Sequence, residues 1–491
     1  MSPSPSVAAT LPPDNRQKLA IEVLAKSKPI TKLAAEHQVS RQFLYKQGHK
    51  AKTALDEAFE PTTSDNDILF HLPITKTWLF QLMLALVLIC HCSYRGVVEL
   101  FRDLLDMPIS VATIHNRLQS AAANASDINQ AQDLSGIKVG LHDEIFQGSQ
   151  PVLAGVDAAS TYCYLLQGAE HRDEDTWGWH LLDAMEQGFQ PEYTIADGGM
   201  GLRAGQNAVM PKTPCHGDIF HIQQQFETVA NSLGRQAKGA TSQRLKLEQK
   251  LVKAKLSGQA TSQMRGKLVH AKKQERRLVI LSQDVKTMLG WISHDVLELA
   301  GPQLFVRQEL FDFIVTELKR RECQEHPQIH TLRKSLHNQR DELLAFAGIL
   351  DQKLEEIAVR LDVQLHKVRD VCVLHRKQPT SNAYWERWNQ LHCELAGKFH
   401  WLMEAVSEAL KQTPRASSLV ENLNSRLRNY FFLRRTLGKP YLSLLQFFLN
   451  HRCFMRSEVS ERVNKSPKEL MTGQSHPHWL ELLGFQRFRR A

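Results

Sequence analysis

The sequence lacks the features of a secreted or membrane-spanning protein. Its longest apolar run, at residues 78–90, is 13 residues long, whereas a helix that crosses a bilayer needs about 20. The opening segment MSPSPSVAATLPPDNRQK has no apolar stretch of the kind found in a signal peptide. The 8 cysteines are scattered and include no two pairs at zinc-binding spacing. We therefore expect a cytoplasmic protein with reduced thiols.

Acidic residues are also in deficit. The chain has 52 Asp and Glu against 61 Lys and Arg, which gives a net charge of +9 at pH 7. Residues 415–491 alone contain 14 lysines and arginines but only 5 acids, so this segment accounts for the whole excess. Such a local basic surface favours a polyanionic partner over a general effect on solubility.

The segment PITKLAAEHQVSRQFLYKQGHKAK predicts two helices joined by a short turn. Ser40 is suited to the N-cap of the second helix, which would carry Arg41, Gln42, Tyr45 and Lys46. This is the pattern of a helix-turn-helix that places its second helix in a DNA major groove. A plain helical hairpin is the alternative.

A second helix-turn-helix pattern lies at residues 92–122, with Ser110 as the expected cap of its second helix. Its apolar content is high, so a buried helical pair is an equal alternative for this segment.

The pattern changes from helical to extended at residue 137. Three apolar runs separated by tight turns predict an antiparallel meander, and the full predicted order is β-β-β-α-β-α-β-α. The next two hundred residues are rich in Lys, Arg, Gln and Leu. They predict helices that pair as coiled-coil hairpins, broken near Gly258 and Gly266.

Three acids stand at the ends of these predicted elements. Asp143 closes the first strand, Asp197 closes the fourth, and Glu421 lies early in a late helix capped by Ser417 or Ser418. If the first and fourth strands lie side by side, their carboxylates meet at one edge, and the late helix can add the third. Such a set can hold two divalent cations about 3.5–4 Å apart, which assist phosphodiester cleavage.

Each acid also has an ordinary explanation. Asp197-Gly198 is a common turn pair in which glycine supplies a positive φ. Asp143 can be a solvated strand end, and Glu421 can be an acid favoured by the helix dipole. The three acids together, in this order and on these strands, favour a site. Asp157, in the second extended run, is a rival for the first position.

With these motifs in this order, the chain resembles the DDE transposases of bacterial insertion sequences, which have a ribonuclease-H-like catalytic core. The motifs that carry the resemblance are GLHDEIF, YTIADGGMGL, CHGDIFHI, VENLNSRLRNYF and NKSPKELMTG. The resemblance implies that Asp143, Asp197 and Glu421 are the catalytic residues. It also implies that they bind two Mg²⁺ ions, for which Mn²⁺ can substitute.

The resemblance implies supporting roles for other residues. Asp218 and His221 match an Asp-x-x-His signature that several of these superfamilies carry after the second Asp. Asp218 is also a rival for a metal position, but we expect Asp218, His221 and Glu144 to brace the site or to touch DNA. By the resemblance Asp157 lies one hairpin away from the metal edge, so Asp143 is preferred.

The long insertion before Glu421 is expected to grip the transposon end and to assemble a dimer. Within it Trp291 is expected to fill the core, and stacking on a flipped base is the alternative. Behind Glu421 lie basic residues that we expect to contact backbone phosphates. These are Arg426, Arg428, Arg434 and Arg435.

The expected fold is therefore an α/β ribonuclease-H-like core with a mixed sheet, N-terminal helix-turn-helix units and a large all-α insertion. The predicted regions are a helix-turn-helix region at 1–60, a second helical region at 61–135, the first part of the core at 136–225, the helical insertion at 226–414, and the last part of the core with its basic tail at 415–491. The implied function is a nucleoid-associated DNA transposase. It would cleave transposon ends and join them to target DNA. It would bind terminal inverted repeats as a homodimer or larger assembly, and no membrane partner is expected.

Three alternatives remain. The chain can be an inactive or domesticated DNA-binding regulator derived from a transposase, or a ribonuclease-H-like nuclease without strand transfer. A coiled-coil scaffold explains the helical middle but not the acids on the strands.

Overall fold

The computed structural model describes residues 11–59, 70–322, 326–415, 418–434 and 438–488. The chain divides into two compact units, one formed by residues 1–74 with 488–491 and the other by residues 75–487. None of the helices within the described ranges is long and apolar enough to cross a membrane.

The described part of the first unit is a three-helix bundle. Its helices are α1 (Pro13–Leu24), α2 (Ile30–Glu36) and α3 (Arg41–Phe59). Leu19, Leu33 and Leu44 form its core. Ser40 caps α3 as predicted, because its Oγ accepts a hydrogen bond of 3.1 Å from the backbone N–H of Phe43.

The second unit contains one five-stranded sheet flanked by helices. Three helices precede it: α4 (Lys76–Leu88), α5 (Tyr94–Leu105) and α6 (Val111–Gln130). The sheet region comprises β1 (Val139–Gln147), β2 (Gln150–Asp157), β3 (Cys163–Gly168), α7 (Glu174–Glu186), β4 (Tyr193–Ala196), α8 (Met200–Val209) and β5 (Cys215–Gly217). The predicted order of strands and helices is confirmed. The predicted cap at Ser110 is also confirmed, since its Oγ accepts a 3.0 Å hydrogen bond from the N–H of Thr113.

A long helical region follows the sheet. Its helices are α9 (Ile219–Leu256), α10 (Ser262–Trp291), α11 (Leu304–Arg320), α12 (Pro327–Asn338), α13 (Arg340–Leu361), α14 (Leu365–Leu374), α15 (Asn382–Leu395) and α16 (Phe399–Lys411). The predicted break at Gly258 is confirmed, since this residue has a φ of 70° between α9 and α10. The predicted break at Gly266 is wrong, because Gly266 lies inside α10.

The C-terminal helices return to the sheet. They are α17 (Ser418–Phe432), α18 (Lys439–His451), α19 (Pro467–Thr472) and α20 (Trp479–Leu482). Of the residues predicted for this region, Ser417 and Arg435 lie outside the described part of the chain.

The strand order in the sheet is β3-β2-β1-β4-β5. β1 is antiparallel to β2 and parallel to β4, so the sheet is mixed and the first and fourth strands are neighbours. One face carries Leu141 and Ile145 of β1 and packs against α6, α17 and α18. The other face packs against α7 and α8 around the buried ring of Trp177. The protein is therefore a mixed α/β structure in which helices cover both faces of the sheet.

Candidate metal centre

Two of the predicted acids follow the paired segment of β1 and β4. The parallel ladder between these strands ends with His142 opposite Ala196, and the next residues are Asp143 and Asp197. The expectation that Asp143 closes its strand is wrong, because β1 continues to Gln147 against β2. Asp143 lies instead in the middle of β1, where its pairing with β4 stops.

The alternation of side chains along β1 separates Asp143 from Glu144. Asp143 is on the face that packs against α17, and it is only 5% exposed. Glu144 is on the opposite face, where it accepts a hydrogen bond of 3.0 Å from Nε1–H of Trp177 and one of 3.2 Å from Arg172. Glu144 therefore holds α7 against the sheet, and its carboxylate lies on the face away from Asp143.

The third predicted acid, Glu421, lies on α17. Glu421 lies in the first turn of this helix, and Asn424 follows three residues later on the same side. The buried side chain of Asn424 donates a 2.8 Å hydrogen bond from Nδ2 to Oδ2 of Asp143. This contact fixes α17 relative to β1. The sequence reasoning missed Asn424, although its spacing from Glu421 was a usable signal.

Asp218 and His221 come from the start of α9. Asp218 is the N-cap, and its Oδ1 accepts a 2.9 Å hydrogen bond from the N–H of Phe220. His221 lies one turn later, with Nε2 at 3.4 Å from Oδ2 of Asp218 and at 3.8 Å from Oδ1 of Asp143. This nitrogen is shielded from solvent and has no hydrogen-bond partner among the described residues. It is thus placed to bind a metal ion.

Asp143, His221 and Glu421 form a cluster that can hold a cation. Each offers one ligand atom, and these atoms all lie within 4.8 Å of one another. Carboxylate oxygens with one imidazole nitrogen suit Mn²⁺ and related divalent metals as well as Mg²⁺. The sequence prediction treated His221 as a supporting residue, whereas the geometry gives it the position of a ligand. Asp197 is not a member of this cluster.

The electrostatics of the cluster favour a bound cation. The pKa of Asp143 is raised from 3.8 to about 6, chiefly because burial disfavours the charged form. The N–H of Glu144 and the charge of His221 lower this pKa, while the charges of Glu421 and Asp197 raise it. Asp197 is therefore near enough to act on Asp143. A divalent cation would offset the cost of gathering these carboxylates.

The loop after β4 is held by its own backbone and by α13. Oδ1 of Asp197 accepts a 2.8 Å hydrogen bond from the N–H of Gly199. Arg203 donates from Nε to the Asp197 carbonyl at 2.9 Å and pairs with Glu342 through Nη1. The alternative explanation of Asp197-Gly198 as a turn pair requires a positive φ angle at glycine, but neither Gly198 nor Gly199 has one. A Cβ on Gly199 would lie 2.8 Å from Oδ1 of Asp197, so a side chain at this position would displace the Asp197 carboxylate.

Asp157, the alternative candidate for the first catalytic acid, lies away from the cluster. Asp157 pairs with Gly140, towards the other end of the β1–β4 ladder from Asp143. Its carboxylate accepts hydrogen bonds from the backbone and hydroxyl of Ser160. These contacts close the turn between β2 and β3, which accounts for a buried aspartate without a metal.

The residues predicted to read DNA lie on the surface of the first unit. Arg41, Gln42, Tyr45 and Lys46 are all exposed on α3. The opposite side of α3 contributes Leu44 to the core. The amphipathic packing of α3 therefore presents the four polar side chains together.

The arginines behind Glu421 differ in their surroundings. Arg428 is exposed, whereas Arg426 is half-buried and burial lowers its pKa. The guanidinium of Arg434 lies 3.8 Å from the ring centre of Tyr441 and 4.8 Å from that of Tyr94. Its nitrogens are shielded from solvent. Arg434 thus packs between rings and does not present its charge for phosphate contact.

Trp291 is 37% exposed at the end of α10, with its ring centre 6.0 Å from that of Phe313. The expectation that it fills the core is wrong. The inward-facing residues of this segment are Ile292 and Val296, which are buried in the π-helical turn that follows.

Comparison of the sequence with models of protein families and with curated proteins gave no match. The function is therefore inferred from the geometry of the acid cluster and from the surfaces around it.

Proposed function

We propose that the protein is a DDE transposase with a ribonuclease-H-like core, which cleaves DNA at transposon ends and transfers the strands into target DNA. One observation carries this proposal. Parallel pairing of β1 with β4 brings Asp143 and Asp197 to neighbouring positions, and α17 adds Glu421 on the same side of the sheet. Three acids on two adjacent strands and a late helix can support two-metal phosphodiester chemistry if one of them bridges both ions.

The donor set fits divalent cations. Asp143, His221 and Glu421 would hold one ion, and Asp197 would complete the binding of a second ion with Asp143. A bound cation supplies a more acidic water and stabilises charge on the leaving oxygen. The chain's own residues orient the ligands: Asn424 and the N–H of Glu144 hold the Asp143 carboxylate in place.

The first unit supports DNA as the substrate. Two of its helices, α2 and α3, are joined by a short turn, as the proposed helix-turn-helix requires. The exposed α3 side chains are of the types that contact base edges and phosphates. We propose that α3 binds the terminal inverted repeats. A homodimer or larger assembly is proposed because two ends must be joined, and the nucleoid is the proposed location.

A labelled duplex that carries the junction between the element's end and flanking DNA tests the proposal. With Mg²⁺, the wild-type protein should nick at the junction. The Asp197→Asn and Glu421→Gln variants should bind the duplex without cutting, because an amide weakens metal coordination. Glu192→Gln is the matched control, since Glu192 is an exposed acid just before β4. Equal cutting by all four proteins would refute the proposed site.

The runner-up is a ribonuclease-H-like nuclease without strand transfer, which shares this acid cluster. Products in which the cut strand is joined to an unlabelled target duplex favour the transposase, and hydrolysis alone favours the nuclease.

A further inference from the structure

A cavity of about 470 Å³ lies beside β3, where residues of α6, α7 and α18 complete its walls. β3 is the outer strand of the sheet, and β2 separates it from β1, which carries Asp143. None of the residues that line the cavity belongs to the acid cluster, so the cavity is distinct from the candidate metal centre. Its volume is in the range of sites that bind small molecules.

The buried amide of Asn129 leaves an unused acceptor in the lining of this cavity. Asn129 is only 9% exposed. Its Nδ2 donates to the carbonyl oxygen of Ser443 at 2.9 Å and to Oγ of the same residue at 3.2 Å, which fixes the orientation of the amide. Oδ1 is shielded from solvent and has no hydrogen-bond partner among the described residues. An unpaired buried acceptor is costly, so a ligand that carries an N–H group is favoured here.

The wall formed by α7 adds negative charge. Asp183 and Glu186 line the cavity, whereas none of the described lysines or arginines does. His180 lies beside Asp183, with Nδ1 at 3.8 Å from Oδ2, but burial lowers the pKa of His180 below 6.5 and its imidazole is neutral at pH 7. Lys439 lines an adjoining cavity of about 490 Å³. The first cavity thus holds two carboxylates without a basic side chain in its lining, which favours a positively charged ligand.

We propose that this cavity binds an aliphatic diamine or polyamine. One amino group would donate to Oδ1 of Asn129, and another would lie against the carboxylates of Asp183 and Glu186. Leu165 and Ala184 add apolar carbon to the lining, which suits the methylene chain between the amino groups. A lysine side chain carries a single ammonium group and would satisfy only one of the two positions. The inference goes beyond the proposed function and does not depend on it.

Isothermal titration calorimetry with putrescine tests the inference on the full-length protein. Salt at about 0.15 M screens amine binding to exposed charges. Butylamine has the same carbon chain with one amino group, and butanediol replaces both amino groups by neutral hydroxyls. Putrescine should bind about tenfold more tightly than butylamine, because its second amino group adds a charge-assisted hydrogen bond. Butanediol should bind more weakly than either amine.

Substitutions in the lining locate the binding site. Asp183→Asn and Glu186→Gln keep the shape of each side chain, and each should weaken putrescine binding about threefold to tenfold. Asp175→Asn is the matched control, because Asp175 is an exposed acid of α7 that does not line the cavity. Asn129→Ala removes the buried acceptor and should lower the affinity for putrescine to that for butylamine. Circular dichroism melting verifies that each variant is folded, and the comparison of the two amines tests the same contact if Asn129→Ala does not fold.

The inference is overturned if the wild type does not bind putrescine, or if Asp183→Asn binds it as tightly as Asp175→Asn does. An equal loss in these two variants also overturns it, because the amine would then lie on the general acidic surface of α7. Equal affinities for putrescine and butylamine would show that one amino group suffices and would reject a diamine site. Tighter binding of Nα-acetyl-lysine amide than of putrescine would assign the cavity to a lysine of a partner protein and would reject a free diamine.

Discussion

The buried carboxylate of Asp143 should destabilise the fold when no cation is present. Its pKa in the folded protein is about 6, against 3.8 ordinarily. Between these values the folded state retains a proton that the unfolded chain has released, so stability falls as the pH rises from about 4 to 6. Asp143→Asn removes this penalty and should stabilise the cation-free protein at neutral pH.

The size of the destabilisation follows from the shift in the pKa of Asp143. One pKa unit corresponds to about 1.4 kcal/mol, so a rise from 3.8 to about 6 costs about 3 kcal/mol above pH 6. Asparagine can retain both contacts of the carboxylate. Its oxygen can accept the N–H of Glu144, and its NH₂ can donate to Oδ1 of Asn424 once that amide rotates. In the native protein this Oδ1 is buried and has no hydrogen-bond partner among the described residues.

Urea unfolding in EDTA, followed by circular dichroism from pH 4 to 7.5, measures the effect. The free energy of unfolding of Asp143→Asn should exceed that of the wild type by about 3 kcal/mol above pH 6, and the two should converge near pH 4. The exposed-acid control Glu192→Gln should follow the wild type. A variant less stable than the wild type at pH 7, or a difference independent of pH, would refute the reasoning.

Four further substitutions test the sheet and the helices of the second unit. Burial lowers the pKa of His142 from 6.5 to about 3. As the pH falls below 6.5 the unfolded chain therefore binds a proton that the folded protein does not, and about 2 kcal/mol of stability is lost by pH 5. In urea titrations, the free energy of unfolding of His142→Gln should lack this dependence on pH. Asn424→Ala removes the donor to Asp143 and should cost about 1–3 kcal/mol in the same assay, whereas an unchanged midpoint would contradict the contact. Gly205→Ala should destabilise by about 1–3 kcal/mol, because its Cβ would lie 2.6 Å from the carbonyl oxygen of Glu174. Gly266→Ala, whose Cβ would lie in open space within α10, should stabilise the protein by about 0.5–1 kcal/mol. Thermal melts in which Gly205→Ala is the more stable of the two variants would contradict the packing.

The sequence predicted the order of strands and helices along the chain, because this order depends on local patterns. It also indicated that the first and fourth strands can lie side by side, which the structure confirms. Tight turns specify a meander, and period-two alternation identifies strands. The same alternation could have separated Asp143 from Glu144, since adjacent residues of a strand face opposite sides.

The ligand position of His221 could not be predicted in this way. It depends on where the first turn of α9 packs against β1, which is a contact between residues far apart in sequence. The surroundings of Arg434 could not be predicted from the count of charges either. An arginine packed between Tyr441 and Tyr94 and an arginine in solvent contribute the same charge to the sequence. Trp291 was placed wrongly because its apolar character does not show which side of α10 faces the core; the buried residues of this segment are Ile292 and Val296 of the following π-helical turn.

Mn²⁺ binding tests the central claim most directly, namely that Asp143, His221 and Glu421 hold a divalent cation. Mn²⁺ can be titrated into the wild type, Glu421→Gln, His221→Ala and the control Glu192→Gln, and the free Mn²⁺ measured by electron paramagnetic resonance. The account predicts that the wild type and Glu192→Gln bind Mn²⁺ equally, that Glu421→Gln loses binding and that His221→Ala weakens it. Equal binding by all four proteins, or none by the wild type, would contradict it.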